Sequence, residues 1–93
     1  MSYTDRYFSI INMIAYAGDR GITREEMFDL DERTSRTNLR PHFNAAYIDP
    51  SMIIQKDGRY HFHPEFKRAN QKFIPDWAGI IKSLAGEQIL PPK

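Results

Sequence analysis

Residues 33–64, RTSRTNLRPHFNAAYIDPSMIIQKDGRYHFHP, decide the fold. Leu39, Phe43, Ala46 and Tyr47 recur at helical spacing as one apolar stripe, while Arg36, Arg40 and Asn44 repeat every four residues on a different face. Asn38 and His42 lie beside that polar face. Thr34, Ser35 or Thr37 can cap such a helix, and Pro41 is tolerated only in a first turn, so the pattern predicts continuous helix from Thr37 or Asn38 to about Tyr47. Ile48-Asp49-Pro50 ends it, because a residue before proline avoids helical dihedrals. Asp57-Gly58 between two β-rich runs then predicts a hairpin closed by a type I′ turn. Counting outward from that turn pairs Lys56 with Arg59, Gln55 with Tyr60, Ile54 with His61 and Ile53 with Phe62. Ile53, Tyr60 and Phe62 share the face assigned to the core, and Lys56, Arg59 and His61 share the other.

On the N-terminal side, a helix is expected from about Thr4 to Ala17, mostly buried through Tyr7, Ile11, Ile14 and Ala15 and stopped at Gly18. Ile22 reads as a short extended residue facing the core. Thr23 with Glu26 three residues later is a capping box, opening a short helix with Met27, Phe28 and Leu30 inside. Residues 31–35 read as a polar turn. On the C-terminal side, residues 64–73 predict a short basic helix with Phe66 and Phe73 on its inner side. Pro75 breaks it. A last helix from about Asp76 to Leu84 carries Trp77, Ile80, Ile81 and Leu84 at helical spacing before Gly86 and a tail with Pro91-Pro92.

The 93 residues suffice for one modest core. A hydrophobic fraction of 41% with 27% charged residues suits a soluble globular domain. There is no cysteine, which excludes disulfides and thiolate metal sites. Apolar runs are too short to span a bilayer, and the first residues do not resemble a secretion signal, so no membrane association and a cytoplasmic location are expected. The net charge of +1 conceals a division. Residues 1–32 hold three basic and seven acidic side chains, whereas residues 33–72 hold eight basic and three acidic. Such a split implies one anion-seeking side.

Helix, short strand, helix, helix, two-stranded hairpin and helix is an order that resembles the winged helix-turn-helix superfamily, and SRTNLRPHFNAAYI is similar to the recognition helix and exit of many bacterial regulators. The resemblance implies an α+β, mainly α fold with a three-helix core, a two-stranded wing and additional C-terminal helices. It covers a domain over residues 1–75, leaving 76–93 as a C-terminal helix and tail. It also implies sequence-specific binding of double-stranded DNA by a small transcriptional regulator, a repressor acting by operator occupancy. The helix would enter the major groove with Ser35, Arg36, Thr37, Asn38, Arg40, His42 and Asn44, and the wing would add Lys56, Arg59 and His61. Trp77, Ile80, Ile81 and Leu84 would either fold back on the first helix or bury themselves against a second subunit, and they are the expected dimerisation residues of a homodimer.

A competing reading is a protein-interaction module or inhibitor on the same fold, binding a protein partner through the acidic residues 19–32 (Asp19, Glu25, Glu26, Asp29, Asp31, Glu32). His61 and His63 could supply two corners of a metal site, but no convincing third ligand is at hand, so no metal and no cofactor are expected. No nucleophile motif, phosphate-cradling glycine loop or catalytic carboxylate pair is present, and no enzymatic activity is expected.

Overall fold

A computed structural model describes residues 3–34 and 37–85 of the chain. The fold is α+β and mainly helical, with one two-stranded antiparallel sheet among the described residues. Helix α1 (Tyr3–Ala17) is the spine: Ile10, Ile11, Met13, Ile14 and Ala17 are all buried. A 3-10 turn, Gly18–Arg20, leads to Gly21 and Ile22. Helix α2 (Arg24–Thr34) starts with the expected reciprocal cap, Glu26 N–H donating to Thr23 Oγ1 and Thr23 N–H to Glu26 Oε1, both at 3.0 Å.

Helix α2 does not stop at residue 30. It runs on through the stretch expected as a polar turn, because Asp31 is turned inward and fully buried rather than left to solvent. Its carboxylate accepts the Thr37 hydroxyl at 2.7 Å and the Leu39 N–H at 3.1 Å. A buried carboxylate needs such partners.

The continuous helix expected over Thr37–Tyr47 is absent. Two 3-10 turns, Arg40–His42 and Ala45–Tyr47, replace it, separated by extended Phe43 (φ −65°, ψ 135°) and Asn44 (φ −151°, ψ 168°). Two local causes act together. Pro41 carries no N–H for a helical ladder. The Asn44 side chain accepts the Ala46 N–H at 2.8 Å, starting a new turn where the old one would have continued. Three of the four stripe residues nonetheless face inward: Leu39 and Tyr47 are buried and Phe43 packs edge-on against Phe28, whereas Ala46 is exposed.

Strands β1 (Ile53–Lys56) and β2 (Arg59–Phe62) pair in the expected register, with Ile53 opposite Phe62 and Lys56 opposite Arg59. Asp57 and Gly58 both take positive φ (54° and 75°), as a type I′ turn demands. Ile22 adds a third rung beyond β2, exchanging both backbone hydrogen bonds with Tyr60 at 3.1 and 2.8 Å. That bridge carries the hairpin to the start of α2.

Helix α3 (Pro64–Ala69) is capped by His63, whose Nδ1 accepts the Glu65 N–H, and ends at Asn70. Helix α4 (Ile74–Ala85) begins earlier than expected, since Pro75 falls in its first turn, where proline needs no hydrogen-bond partner. It packs along α1, and Ile81 is fully buried in the same core as Ile10, Leu30 and Ile53. The core therefore runs on past residue 75 into α4.

Candidate nucleic-acid interface

The first turn of α2 is where the hairpin and the 37–44 segment meet. Glu25 and Glu26 are neighbours in the chain, and each holds an arginine from a different element. Glu25 Oε1 accepts from Arg40 Nη1 at 3.2 Å, and Glu26 Oε1 accepts from Arg59 Nη1 at 3.1 Å. Arg40 also forks onto Glu32, with Nε 2.7 Å from one carboxylate oxygen and Nη2 3.2 Å from the other. Its guanidinium carbon lies 5.0 Å from the Phe28 ring centroid. Arg20 reaches the other oxygen of Glu26 at 3.3 Å, and Arg24 lies over the Phe43 ring.

These contacts set the electrostatics of the patch. The Glu32 carboxylate, hydrogen-bonded by Arg40, sits below its ordinary pKa, and Arg40 is driven still further from neutrality by its bonds to Glu32 and then Glu25. Three arginines, Arg20, Arg40 and Arg59, thus share three carboxylates, Glu25, Glu26 and Glu32, and the contacts among them balance in charge.

The residues expected to touch DNA are put to different uses. Ser35 and Arg36 lie outside the described residues. The Thr37 hydroxyl is spent on Asp31 and the Asn44 side chain on its own turn. Asn38 and His42 are exposed, with His42 Nδ1 2.9 Å from the Asn38 carbonyl oxygen. Lys56 is exposed at the hairpin tip. Arg59 and His61 are half-buried: Arg59 also donates to the Gly21 carbonyl, and His61 covers the α-carbon of Gly21 so closely that an added Cβ would stand 2.5 Å from its Cε1. A side chain at i+2 on a strand shares the face of its neighbour, but whether that face meets solvent or a glycine depends on what folds against it.

Arg20 and Arg24 were missing from the expected contacts because they precede the segment with the helical pattern. Their only signal in the sequence is proximity to Glu25 and Glu26. The acidic stretch 19–32 is largely exposed, Asp19 and Glu25 most of all, but several of its carboxylates have partners within the chain. Asp19 pairs with Lys67, Asp29 with Arg33 and Glu32 with Arg40, Glu26 holds two arginines, and Asp31 is buried. No family model matches the chain, and neither the curated proteins nor the solved structures contain a significant match to it.

The four α4 residues expected at a dimer interface divide. Ile81 belongs to the chain's own core, and Trp77 stacks on Phe66 and Phe73 with Phe62 edge-on. Ile80 (44% exposed) and Leu84 (53%) remain outward. Ile80 and exposed Phe8 flank an open groove of about 460 Å³ floored by Ile11, Met52, Phe66 and Trp77. His63 caps α3, and among the described residues no three His, Cys, Asp or Glu side chains come together as a metal site would require. None of the described helices is long and apolar enough to cross a membrane.

Proposed function

We propose that this chain is a winged-helix-type domain that binds double-stranded DNA, acting as a small transcriptional regulator through occupancy of its site. The observation that carries this reading is the convergence of the hairpin and the 37–44 segment on the first turn of α2, which brings Arg59 and Arg40 side by side onto Glu26 and Glu25 with Arg24 over the Phe43 ring, while Lys56 stays exposed at the hairpin's end. The Ile22–Tyr60 bridge supports it, since it sets the hairpin beside the helix pair as a third-strand rung. With two short turns in place of a long helix, contact falls first on phosphates, through Arg40 and Lys56, and Asn38 and His42 are the exposed groups left to meet base edges. A homodimer through Ile80 and Leu84 would double this surface.

The test is fluorescence anisotropy with random-sequence duplex DNA over a salt series, using the wild type and Lys56→Ala. Binding should weaken steeply with salt, and loss of one phosphate contact should reduce the slope of log K against log salt by about 0.9. An unchanged slope in Lys56→Ala removes the wing from the contact. Light scattering should give a dimer mass that falls to the monomer mass in Ile80→Glu/Leu84→Glu.

A second reading is a protein-binding module that does not touch DNA. What favours it is that Arg40 and Arg59 already have carboxylate partners, while Phe8, Ile80 and Leu84 are exposed. Absence of DNA binding at low salt, together with a monomeric mass, would leave this reading in place.

A further inference from the structure

Arg40 presents the planar donor fork that suits a phosphate, and that fork is already filled from within the chain. Three of its N–H groups meet Glu32 and Glu25 at 2.7, 3.2 and 3.2 Å. We propose that Glu25 and Glu32 are an intramolecular competitor for the phosphodiester backbone, so that nucleic acid gains the bidentate Nε–Nη2 fork of Arg40 by exchange against these carboxylates. The inference rests on the DNA-binding reading above and adds a threshold to it.

Exchange requires that the competitor can leave and that the arginine stays in place. Both carboxylates can leave: the Glu25 side chain is 76% exposed and that of Glu32 52%, so water receives them without a buried charge being stranded. Exposed ion pairs of this kind are individually weak and screened by salt. Arg40 is retained by its seat on the Phe28 ring and by Leu39, the fully buried residue before it. Glu26 is built differently. Its side chain is only 21% exposed, it caps α2, and it holds Arg20 and Arg59 together, so it is a fixed part of the fold.

The consequence is selectivity for phosphate density. A duplex carries one negative charge per ~1.7 Å of axis and supplies several phosphates at once, enough to replace two carboxylates, whereas an isolated anion does not. The hydrogen bond from Arg40 lowers the pKa of Glu32, which favours the charged form of that carboxylate while the pair is made.

The experiment compares the wild type, Glu25→Gln/Glu32→Gln and the charge-matched control Glu65→Gln/Asp76→Asn, whose substitutions lie on α3 and α4, with random-sequence duplex DNA across a salt series. Glu25→Gln/Glu32→Gln should bind about five-fold tighter than the control and steepen the salt slope by about 0.9, as one more phosphate contact would. Adding Arg40→Ala should cancel the gain. Equal affinities for the paired variant and its control, with the wild type still binding, would overturn the competitor while leaving DNA binding intact. Failure of the wild type and the paired variant alike to bind at low salt would overturn both. If circular dichroism shows the paired variant unfolded, Glu25→Gln alone, which loses a single 3.2 Å contact, carries the same comparison with a smaller gain expected.

Discussion

Arg59 on the far side of the hairpin turn donates from Nη1 to Glu26 Oε1, 3.1 Å away and 33 residues earlier in the chain. The same carboxylate oxygen accepts the Thr23 N–H, so one atom closes the N-terminus of α2 and pins the hairpin to it. The hairpin's position is therefore coupled to the helix cap. Glu26→Ala should cost about 1–2 kcal/mol, mostly from the lost cap, which for a domain of this size lowers the melting temperature by roughly 5–15 °C. A double-mutant cycle with Arg59→Ala in thermal denaturation measures the share belonging to the hairpin. A coupling energy of zero would mean that the 3.1 Å contact holds nothing.

Gly21 is the tightest point between α1's exit and the sheet. Its φ of 76° is unfavourable for any side chain, and an added Cβ would stand 2.5 Å from His61 Cε1 and 3.1 Å from Arg59 Cβ. Gly21→Ala should destabilise the fold by about 2 kcal/mol or more, read as a shift of the urea midpoint with an unchanged m-value. His61→Ala in the same background should recover part of the loss, leaving the share due to φ. No recovery would place the whole effect in the backbone.

Asp31 ties the 37–47 segment to α2. Asp31→Ala strands the buried Leu39 N–H and frees the Thr37 hydroxyl, with an expected cost of about 3 kcal/mol. Asp31→Asn retains one acceptor and should cost less. Hydrogen exchange at the Leu39 amide should quicken in both variants relative to core amides of α1. Unchanged protection at Leu39 would show that another group holds this turn.

The pair formed by Arg40 and Glu32 has a defined pH signature. Because the hydrogen bond from Arg40 lowers the folded-state pKa of Glu32 below 4.5, its stabilising contribution is fully present above that value and is lost as pH falls through the lower folded pKa. The Glu32 side-chain carbon, followed by NMR, should titrate below 4.5 in the wild type and move back towards 4.5 in Arg40→Ala. The same midpoint in both proteins would mean that the pair is not populated in solution.

Where the chain's chemistry is local, it was legible in advance. Asp57-Gly58 needs positive φ at two successive residues, so it set the hairpin and its register, and Thr23 with Glu26 set the start of α2. The spacing of Leu39, Phe43 and Tyr47 correctly put all three towards the core. What that spacing could not settle was the backbone path between them. Periodicity reports which way side chains face, and two short turns satisfy that for Leu39, Phe43 and Tyr47 as well as one helix once Pro41 withholds an N–H and Asn44 takes that of Ala46. The fate of the charges was decided at longer range still. Arg40 meets Glu25 across 15 residues and Arg59 meets Glu26 across 33, because packing Leu39 and Ile22 into the core brings those elements onto α2. The sign of each charge is written in the chain, whereas its partner is a consequence of which apolar faces are buried together.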